Sequence, residues 1–468
     1  MDRAFTDAAY AAETLKLLQQ VDADALPRED AIEVDRLRTF TLFALGRGED
    51  ASRYAADLRR SRPAYIGGYT SGFIVELERE DEVAALGVLE AAATHLQGSD
   101  RREIADLVST ENATGLHRKL TAGEDETGTG RLADALVRLA WTGEGDPAIV
   151  DIYRVNAIEH RLATNDVASA KLLAGEVDTP GALLRLLIAR RFDPLDIDAG
   201  NAATRMRQAV ELEGARTQRD FEASPDDWDV LRRRASHLSE VGKSSEAAAL
   251  LISAASDQRA VEAAGADGLW MVNSAAYALL GTGRGEEAVA LLDRLLRSDM
   301  RKHSDSINMA INKGSILLSA GHPAEALAHS RALIAQQPGP ASPYGEMFMV
   351  STAACAAWEL GRRDEAASYK ARLLADPHVN EAATLLVYLC TDDMDGAERF
   401  LVARLRSEKP DAALTWVQDY QIHDERSDRS RQRAERVAEL SRRPAVREAA
   451  ERVGRVLSLP LSRSVWGF

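Results

Sequence analysis

Residues 283–288 read Gly-Arg-Gly-Glu-Glu-Ala, and residues 361–366 read Gly-Arg-Arg-Asp-Glu-Ala. Both strings place a Gly five residues before an Ala, with an acidic residue directly before that Ala. The pattern recurs at 46–51, 242–247 and 321–326, and with Pro in place of the acid at 143–148. Similarity at a near-constant period is the signature of a repeat architecture, so the chain is predicted to repeat one structural unit.

The residues before each Gly repeat as well. Counting back four, seven and eleven positions from Gly283 gives Leu279, Ala276 and Val272. The same offsets before the other glycines give Leu238, Ala235 and Leu231; Leu317, Gly314 and Ala310; and Ala357, Ala354 and Val350. These spacings lie on one face of a helix that has a small residue at its centre. The pattern therefore predicts helix–turn–helix units whose paired helices approach closely.

The Gly and the acid have physical roles at the turn between the two helices. Gly tolerates the positive φ that commonly ends a helix, and an acid in the first turn of the next helix favours its dipole. The most regular units run from Leu231 to Leu373, where the aligned alanines are 41, 38 and 40 residues apart. A fifth, degenerate unit follows, with Ala397 and Leu401 on its second helix.

These Gly, Ala and small-residue positions resemble those of the tetratricopeptide repeat (TPR) family, with Pro63 and Pro338 closing two second helices. The family repeat is about 34 residues, so these units have longer helices or longer links. Departures are Ser330 and Lys370, where the family has a large apolar residue, and Leu136, where it has a small one. The resemblance implies an all-α fold, a right-handed α-solenoid of TPR-like repeats, and we expect no sheet.

Segments that break the repeat suggest the domain organisation. We predict an N-terminal TPR-like solenoid half over 1–177, an irregular helical junction over 178–226, a C-terminal TPR-like solenoid half over 227–410, and capping helices with an aromatic tail over 411–468. The polar, Gly-rich stretch 121–130 predicts a mobile loop. Residues 198–223 predict one long polar helix.

Charge and cysteine content narrow the class of protein. The 468 residues include 58 Lys and Arg against 74 Asp and Glu, a formal net charge of −16. Such a chain repels phosphate backbones, so no nucleic-acid partner is expected. Cys355 and Cys390 form neither a disulfide framework nor a zinc set, and we expect reduced thiols in the core.

Nothing in the sequence indicates a membrane or an oxidising compartment. The longest uncharged run, 268–283, is shorter than the roughly 20 apolar residues that span a bilayer, so we predict no transmembrane segment. The first residues lack the apolar stretch of a secretory signal. We therefore expect a cytoplasmic protein, with a periplasmic or secreted protein that lacks its signal peptide as the alternative.

The sequence contains no residue pattern that indicates catalysis. It has no His-Glu-x-x-His, Cys-x2-Cys or Gly-x-Ser-x-Gly motif. His322 and His329 are seven residues apart with no carboxylate to complete a metal site. Gly123 and Gly128 have the spacing of a phosphate loop but lie among acids and lack the Lys. We therefore expect no enzyme, no metal site and no cofactor.

The concave face of the C-terminal half, residues 228–410, is the predicted partner site, because the first helix of each pair lines that side in TPR-like arrays. The candidate residues on it are Arg232, Ser236, Trp270, Asn273, Tyr277, Asn308, Asn312, Ser315, Phe348, Ser351 and Trp358. Asn can pair with a peptide backbone, and aromatic side chains can anchor a partner. We predict a non-catalytic scaffold for a protein or an extended peptide. An effector- or peptide-sensing regulatory module is the alternative, and ordinary helix packing is the alternative for each residue.

Two further segments carry an open interpretation. The basic residues Arg426, Arg429, Arg431, Arg433 and Arg436 are interspersed with acids, which favours a solvated helix face, with an acidic partner site as the alternative. The apolar end, residues 464–468, is expected either to pack on the last helices or to act as a docking tail.

Overall fold

A computed structural model describes residues 8–123, 125–197, 199–336, 341–422 and 428–462. The described chain has an all-α helical-repeat fold, and its contacts divide it into two compact units. Unit 1 comprises Met1–Leu186 and Pro194–Asp196, and unit 2 comprises Leu187–Asp193 and Ile197–Phe468. The finer four-part division stays a prediction.

Pro338, Arg426 and the tail 464–468 lie outside the described residues. Within the described ranges, no helix is both long enough and apolar enough to cross a lipid bilayer.

Unit 1 holds the first ten helices, and α11 crosses its boundary with unit 2. These helices are α1 (Ala8–Leu18), α2 (Arg28–Ala44), α3 (Gly48–Ser61), α4 (Gly67–Glu78), α5 (Glu82–His95), α6 (Gly98–Leu107), α7 (Thr110–Ala122), α8 (Glu126–Arg138), α9 (Pro147–Ala163), α10 (Val167–Ala174) and α11 (Pro180–Ile188). Helices α2, α3 and α4 pack on one another, and α5 packs on α4 and also on α6, α7 and α8. The packing pattern therefore changes within unit 1.

The stretch 121–130 is mostly helical, so the predicted mobile loop is wrong. Helix α7 ends at Ala122 and α8 begins at Glu126, which puts Gly128 and Gly130 inside α8. The Asp125 carboxylate accepts a hydrogen bond from the Gly128 N–H at 2.8 Å. An N-cap of this kind stabilises a helix by about 1 kcal/mol, which offsets the helix cost of a glycine.

Unit 2 contains the remaining helices and two short strands. They are α12 (Ala202–Ala223), α13 (Trp228–Glu240), α14 (Ser244–Ser256), α15 (Gln258–Ala263), α16 (Ala266–Gly281), α17 (Gly285–Arg297), α18 (Ser306–Ala320), α19 (Pro323–Ile334), α20 (Pro343–Glu359), α21 (Arg363–Ala375), α22 (Glu381–Cys390), α23 (Met394–Leu405), α24 (Asp411–Trp416), β1 (Asp419–Gln421), α25 (Asp428–Arg442), α26 (Pro444–Val453) and β2 (Ser458–Ser462). Helix α12 matches the long helix predicted over 198–223, beginning four residues later.

Helix pairs repeat through unit 2 as the sequence predicts. The first helices α13, α16, α18, α20 and α22 pack on the second helices α14, α17, α19, α21 and α23, respectively. Each first helix also packs on the next first helix, so that α13, α16, α18, α20 and α22 form one continuous layer, called here the first-helix layer. Each second helix up to α21 also contacts the first helix that follows it.

The predicted turn at each repeat Gly is present. The φ angles of Gly242, Gly283, Gly321 and Gly361 are 80°, 78°, 99° and 73°. The residue after each Gly donates its N–H to the carbonyl of the residue four positions before that Gly. After Gly283, for example, the Arg284 N–H donates to the Leu279 carbonyl at 3.0 Å. This bond satisfies a carbonyl that the end of the helix would otherwise leave unpaired. The leucine four residues before Gly283 therefore has both a packing role and a capping role.

The two residues that depart from the repeat pattern in unit 2 make contacts of their own. Ser330 is buried beside Gly314, where an added Cβ would lie 3.3 Å from the Ser330 Oγ. This pair of small residues allows α18 and α19 to approach closely. The Lys370 ammonium donates to Asp393 at 2.7 Å and to Thr391 at 3.1 Å. A polar link between α21 and the turn after α22 thus replaces the expected apolar contact.

A small parallel sheet forms between β1 and β2, so the prediction of no sheet is wrong. The Gln418 side chain supports it, because its Nε2 donates to the Arg455 carbonyl at 3.0 Å and its Oε1 accepts from the Leu457 N–H at 2.8 Å. An antiparallel bridge joins Ala189 to Gly454. Leu459 and Leu461 alternate with less apolar residues in β2, but three and five residues are too few for such a pattern to predict a strand.

Cys355 and Cys390 form a disulfide, which corrects the expectation of reduced thiols. Their Cα atoms are 5.4 Å apart, although the residues are 35 positions apart in sequence. That separation is close to one repeat, and residues one repeat apart lie on neighbouring first helices. The bond therefore links α20 to α22 within the first-helix layer.

Candidate functional site

All the predicted partner residues lie on first helices of unit 2. Arg232 and Ser236 are on α13, Trp270, Asn273 and Tyr277 on α16, Asn308, Asn312 and Ser315 on α18, and Phe348, Ser351 and Trp358 on α20. Their surroundings differ, and the differences decide which of them a partner could contact.

Asn273 and Asn312 are bonded to each other across two neighbouring first helices. The Asn312 Nδ2 donates to the Asn273 Oδ1 at 3.0 Å. Asn273 is fully buried, so it is not accessible to a partner in this conformation. The pair joins α16 to α18 and has a packing role here.

Two serines of the predicted set are also engaged within the protein. The Ser315 hydroxyl lies 3.2 Å from the Thr352 hydroxyl, which links α18 to α20. Ser351 is buried and donates to the Phe348 carbonyl at 3.0 Å. Phe348 is partly buried and forms an edge-to-face contact with the exposed Tyr344, with ring centroids 5.4 Å apart.

The start of the layer is more open. Arg232 pairs with Asp229, and its guanidinium lies 4.0 Å from the Asp267 carboxylate on α16. Ser236 is exposed and donates to Glu240 at 3.3 Å. Trp270 and Asn308 are partly exposed, so both can be reached from solvent.

Helix α25 lies across the carboxyl-terminal ends of three first helices. Arg429, Arg433 and Arg436 share one face of α25, because they are spaced by four and three residues. Arg429 donates to the Leu318 carbonyl on α18 at 3.3 Å and pairs with Glu359 at the end of α20. Guanidinium groups are favourable at helix carboxyl termini, where carbonyls point outward.

The other two arginines make similar contacts with the layer. Arg433 donates to the Ser319 hydroxyl on α18 at 3.4 Å. Arg436 donates to the Leu389 carbonyl on α22 and pairs with Asp392 at 3.2 Å. The interpretation of this segment as a solvated helix face is thus wrong for this face of α25, which packs on the first-helix layer.

Burial changes the proton affinity of two groups at this contact. Desolvation lowers the pKa of Arg433, although Glu359 and Tyr277 both favour its charged form. Burial likewise raises the pKa of Tyr277. A guanidinium keeps its charge despite such a shift, so Arg433 is a partly buried cation next to the layer.

A cleft of about 630 Å³ opens between α20, α22 and α25. The Cys355–Cys390 disulfide and the Trp358 ring form part of its wall. The Arg363 guanidinium lies over that ring, with its Cζ 3.5 Å from the ring centroid, and donates to the Trp358 carbonyl at 2.8 Å. The lining also includes Leu318, Glu359, Leu386, Leu389, Asp428, Arg429, Gln432, Arg433 and Arg436.

Sequence reasoning found Trp358 and the basic segment separately but did not bring them together. The regular spacing of Arg429, Arg433 and Arg436 was a signal of one helix face. It gave no information on the surface that this face meets. In the part of the chain that the structure describes, no group of three His, Cys, Asp or Glu side chains could hold a metal ion.

Comparison with known proteins gives similarity at the level of structure alone. No protein-family model and no curated protein sequence matches the chain. Among solved structures it is similar to the Cut9–Hcn1 hetero-tetramer of the APC/C, at 12% identity over 92% of this chain and 86% of that one, with a TM-score of 0.30. It is also similar to the P58(IPK) TPR domain (15%, 87% and 98%, TM-score 0.18) and to Naa15/Naa10 bound to HypK-THB (13%, 88% and 70%, TM-score 0.23).

The class of protein follows from the chain's own helix pairs, since these TM-scores are low. Repeated first and second helices, Gly turns with positive φ and a continuous first-helix layer define an all-α helical-repeat protein.

Proposed function

We propose that the protein is a non-catalytic scaffold that binds a protein or peptide segment on the first-helix layer of unit 2. The observation that carries this proposal is helix α25. A helical segment of the chain itself lies on the layer, and its arginine side chains donate to backbone carbonyls of α18 and α22 and pair with a carboxylate of α20. The layer thus already accommodates one helical segment on part of its surface, which supports the use of its remaining surface for another.

The part of the layer beyond α25 is the proposed partner surface. Trp270 and Asn308 offer an aromatic side chain and an amide that are partly exposed. Phe348 and Tyr344 add a pair of aromatic side chains at the start of α20. Aromatic side chains contribute strongly to protein interfaces because they bury a large area for little conformational entropy.

An effector-sensing module is the second candidate function. The cleft beside Trp358 favours it, because about 630 Å³ lies within the range of small-ligand sites. One protein can have both functions. A ligand in the cleft would contact α25 and also the first-helix layer on which α25 lies.

The disulfide favours the periplasmic or secreted location over the cytoplasmic one. Disulfides persist in oxidising compartments and are rare in the cytosol. Thiol alkylation of the protein as it occurs in its cell tests this point. We expect Cys355 and Cys390 to be blocked until a reductant is added, whereas labelling of both without reductant would contradict an oxidising location.

Site-specific photo-crosslinking tests the scaffold proposal. A benzophenone side chain replaces Asn308 in the first-helix layer or, as a control, Arg297 on second helix α17, whose side chain is 73% exposed. We expect a partner to be crosslinked from position 308 only, and mass spectrometry then identifies it.

Purified partner allows a direct measurement of affinity. The double variant Trp270→Ala with Asn308→Ala should bind at least tenfold more weakly, because an aromatic anchor and an amide are lost. Arg297→Ala should bind like the wild type. Equal crosslinking from both positions, or unchanged affinity in a folded double variant, would move the partner surface away from this layer.

A further inference from the structure

The cleft beside α25 has a local charge opposite to that of the protein. Among the described residues, the cleft is lined by four arginines and only two carboxylates. The arginines are Arg363, Arg429, Arg433 and Arg436, and the carboxylates are Glu359 and Asp428. The whole chain carries a formal charge of −16. An excess of positive charge at one cleft in an acidic protein attracts anions to that cleft.

Pairing inside the protein accounts for part of this charge. Glu359 is paired with Arg429, and Asp428 is paired with Arg431, which does not line the cleft. Arg436 has its carboxylate partner in Asp392 at 3.2 Å. Both carboxylates of the cleft are therefore already engaged.

Two of these arginines have no carboxylate partner in the part of the chain that the structure describes. Neither Arg363 nor Arg433 has a described carboxylate oxygen within 4.0 Å of its guanidinium. Arg363 donates to the Trp358 carbonyl, and Arg433 donates to the Ser319 hydroxyl over a long distance of 3.4 Å. A partly buried cation with few hydrogen bonds is unfavourable, and an anion beside it would offset that cost.

Apart from Gln432, the remaining residues of the cleft wall are apolar. Leu318, Leu386 and Leu389 line it together with the Trp358 ring and the Cys355–Cys390 disulfide. A fully hydrated inorganic anion would leave this surface in contact with water. A ligand with both an anionic and an apolar part would cover both sides of the cleft.

We propose that this cleft binds a carboxylate attached to an apolar or aromatic group. The Arg433 guanidinium holds the carboxylate, in the paired geometry that guanidinium and carboxylate groups favour, and Arg363 adds a second positive charge. The apolar group lies against Trp358 and the three leucines. This inference deepens the effector-sensing function proposed above and does not depend on a protein partner.

Isothermal titration calorimetry on the full chain tests the ligand class. The probes are N-acetylphenylalanine, its carboxamide and inorganic phosphate. We expect the acid to bind at least tenfold more tightly than the carboxamide, which lacks the charge, and than phosphate, which lacks the apolar group. Equal affinity for the acid and either comparison probe, or no binding of the acid at millimolar concentration, would overturn the proposal.

Two variants and a matched control locate the binding site. Arg433→Gln should weaken binding of the acid at least tenfold, and Arg363→Gln should weaken it about threefold. Arg442→Gln changes an exposed arginine at the end of the same helix, outside the cleft, and should leave binding unchanged. If Arg433→Gln does not fold, Arg363→Gln decides the question. Unaltered affinity in the folded cleft variants, or equal loss in Arg442→Gln, would show that the acid binds elsewhere.

A fourth probe distinguishes the two sources of such a carboxylate. Ala-Ala-Ala-Phe with a free carboxyl terminus presents the same group at the end of a peptide. If the peptide binds more tightly than N-acetylphenylalanine, the cleft is assigned to the carboxyl terminus of a chain. If the peptide binds more weakly, the cleft is assigned to a free organic acid. Failure of every acid would refute the cleft proposal and leave the crosslinking test at position 308 unaffected.

Discussion

The carboxylate of Asp35 in unit 1 is fully buried, and in unit 2 the residue at the centre of a first helix, Ala354, is buried to the same degree. Four donors converge on Asp35: Tyr54 at 2.6 Å, Tyr65 at 2.9 Å, Arg62 at 3.0 Å and Arg38 at 3.2 Å. The Ala354 side chain packs in the apolar core that contains Val350 and Leu373. One region is held by a directional polar cluster and the other by small residues that allow close packing.

A second buried carboxylate extends this contrast. Asp151 on α9 is fully buried and accepts hydrogen bonds from the backbone N–H groups of Asp178 at 3.0 Å and Thr179 at 2.8 Å. It therefore fixes the chain just before α11. Polar clusters of this kind are specific to one place in the chain, whereas an Ala or Gly at a helix centre can be repeated at each unit. The difference explains why unit 2 is the more regular of the two.

The largest effect on stability is expected from a substitution that disrupts the polar cluster around Asp35 in unit 1. Asp35→Asn removes the charge that its two arginines and two tyrosines contact, and we expect a loss of about 3–5 kcal/mol in the free energy of unfolding of unit 1. Hydrogen exchange measured by mass spectrometry should show faster exchange in α2 and α3, with unit 2 unchanged.

A matched control separates this cluster from charge removal in general. Asp57→Asn on α3 removes a carboxylate that is 56% exposed and pairs only with the neighbouring Arg60 among the described residues. We expect less than about 1 kcal/mol for it. Similar exchange in both variants would mean that Asp35 is not what holds these helices together.

The next effect concerns pH and belongs to unit 2. Burial, with Arg234 and Lys243 nearby, lowers the pKa of His237 to about 4. Between its ordinary value near 6.5 and 4, the unfolded chain binds a proton that the folded chain does not, so this contribution to stability is full above pH 6.5 and is lost as the pH falls towards 4. The expected loss is about 3 kcal/mol.

Urea unfolding of the wild type and of His237→Gln at pH 7, 5.5 and 4 measures this contribution. Burial raises the pKa of Glu240, which acts in the opposite direction, but that group is present in both proteins and cancels in the comparison. We expect the wild type to lose about 3 kcal/mol relative to the variant between pH 7 and pH 4. Parallel pH profiles would show that His237 does not titrate as a buried neutral group.

The smallest effect tests close packing in unit 2. Ala354→Leu adds volume where the helix centre is fully buried, and we expect a loss of about 2 kcal/mol from overpacking. Ala332→Leu adds the same volume at an exposed position of α19 and should change the free energy of unfolding by less than about 0.5 kcal/mol. Thermal unfolding of both variants measures the difference, and equal stability would show that the small residue is not required.

The contrast between repeated small residues and single polar clusters also explains which features the sequence could predict. The turn at Gly321 and the small residue at Gly314 were predictable, because each recurs at a constant offset in neighbouring units. The cluster at Asp35 was not, since one acid among many gives no local signal of its burial. The disulfide and the surface that Arg433 meets were missed for a similar reason. Both depend on which elements the fold brings together, which local periodicity does not contain.

The pairing of β1 with β2 has a consequence for the order of events during synthesis. Helices α25 and α26 lie between these strands in sequence, so the strand that closes the segment leaves the ribosome after every helix pair of the first-helix layer. Chains commonly fold as they emerge, from the N-terminal side onward. We therefore expect the layer to emerge and pack before α25 can reach it. In that interval the ends of α18, α20 and α22 would be open to a neighbouring molecule without an internal competitor.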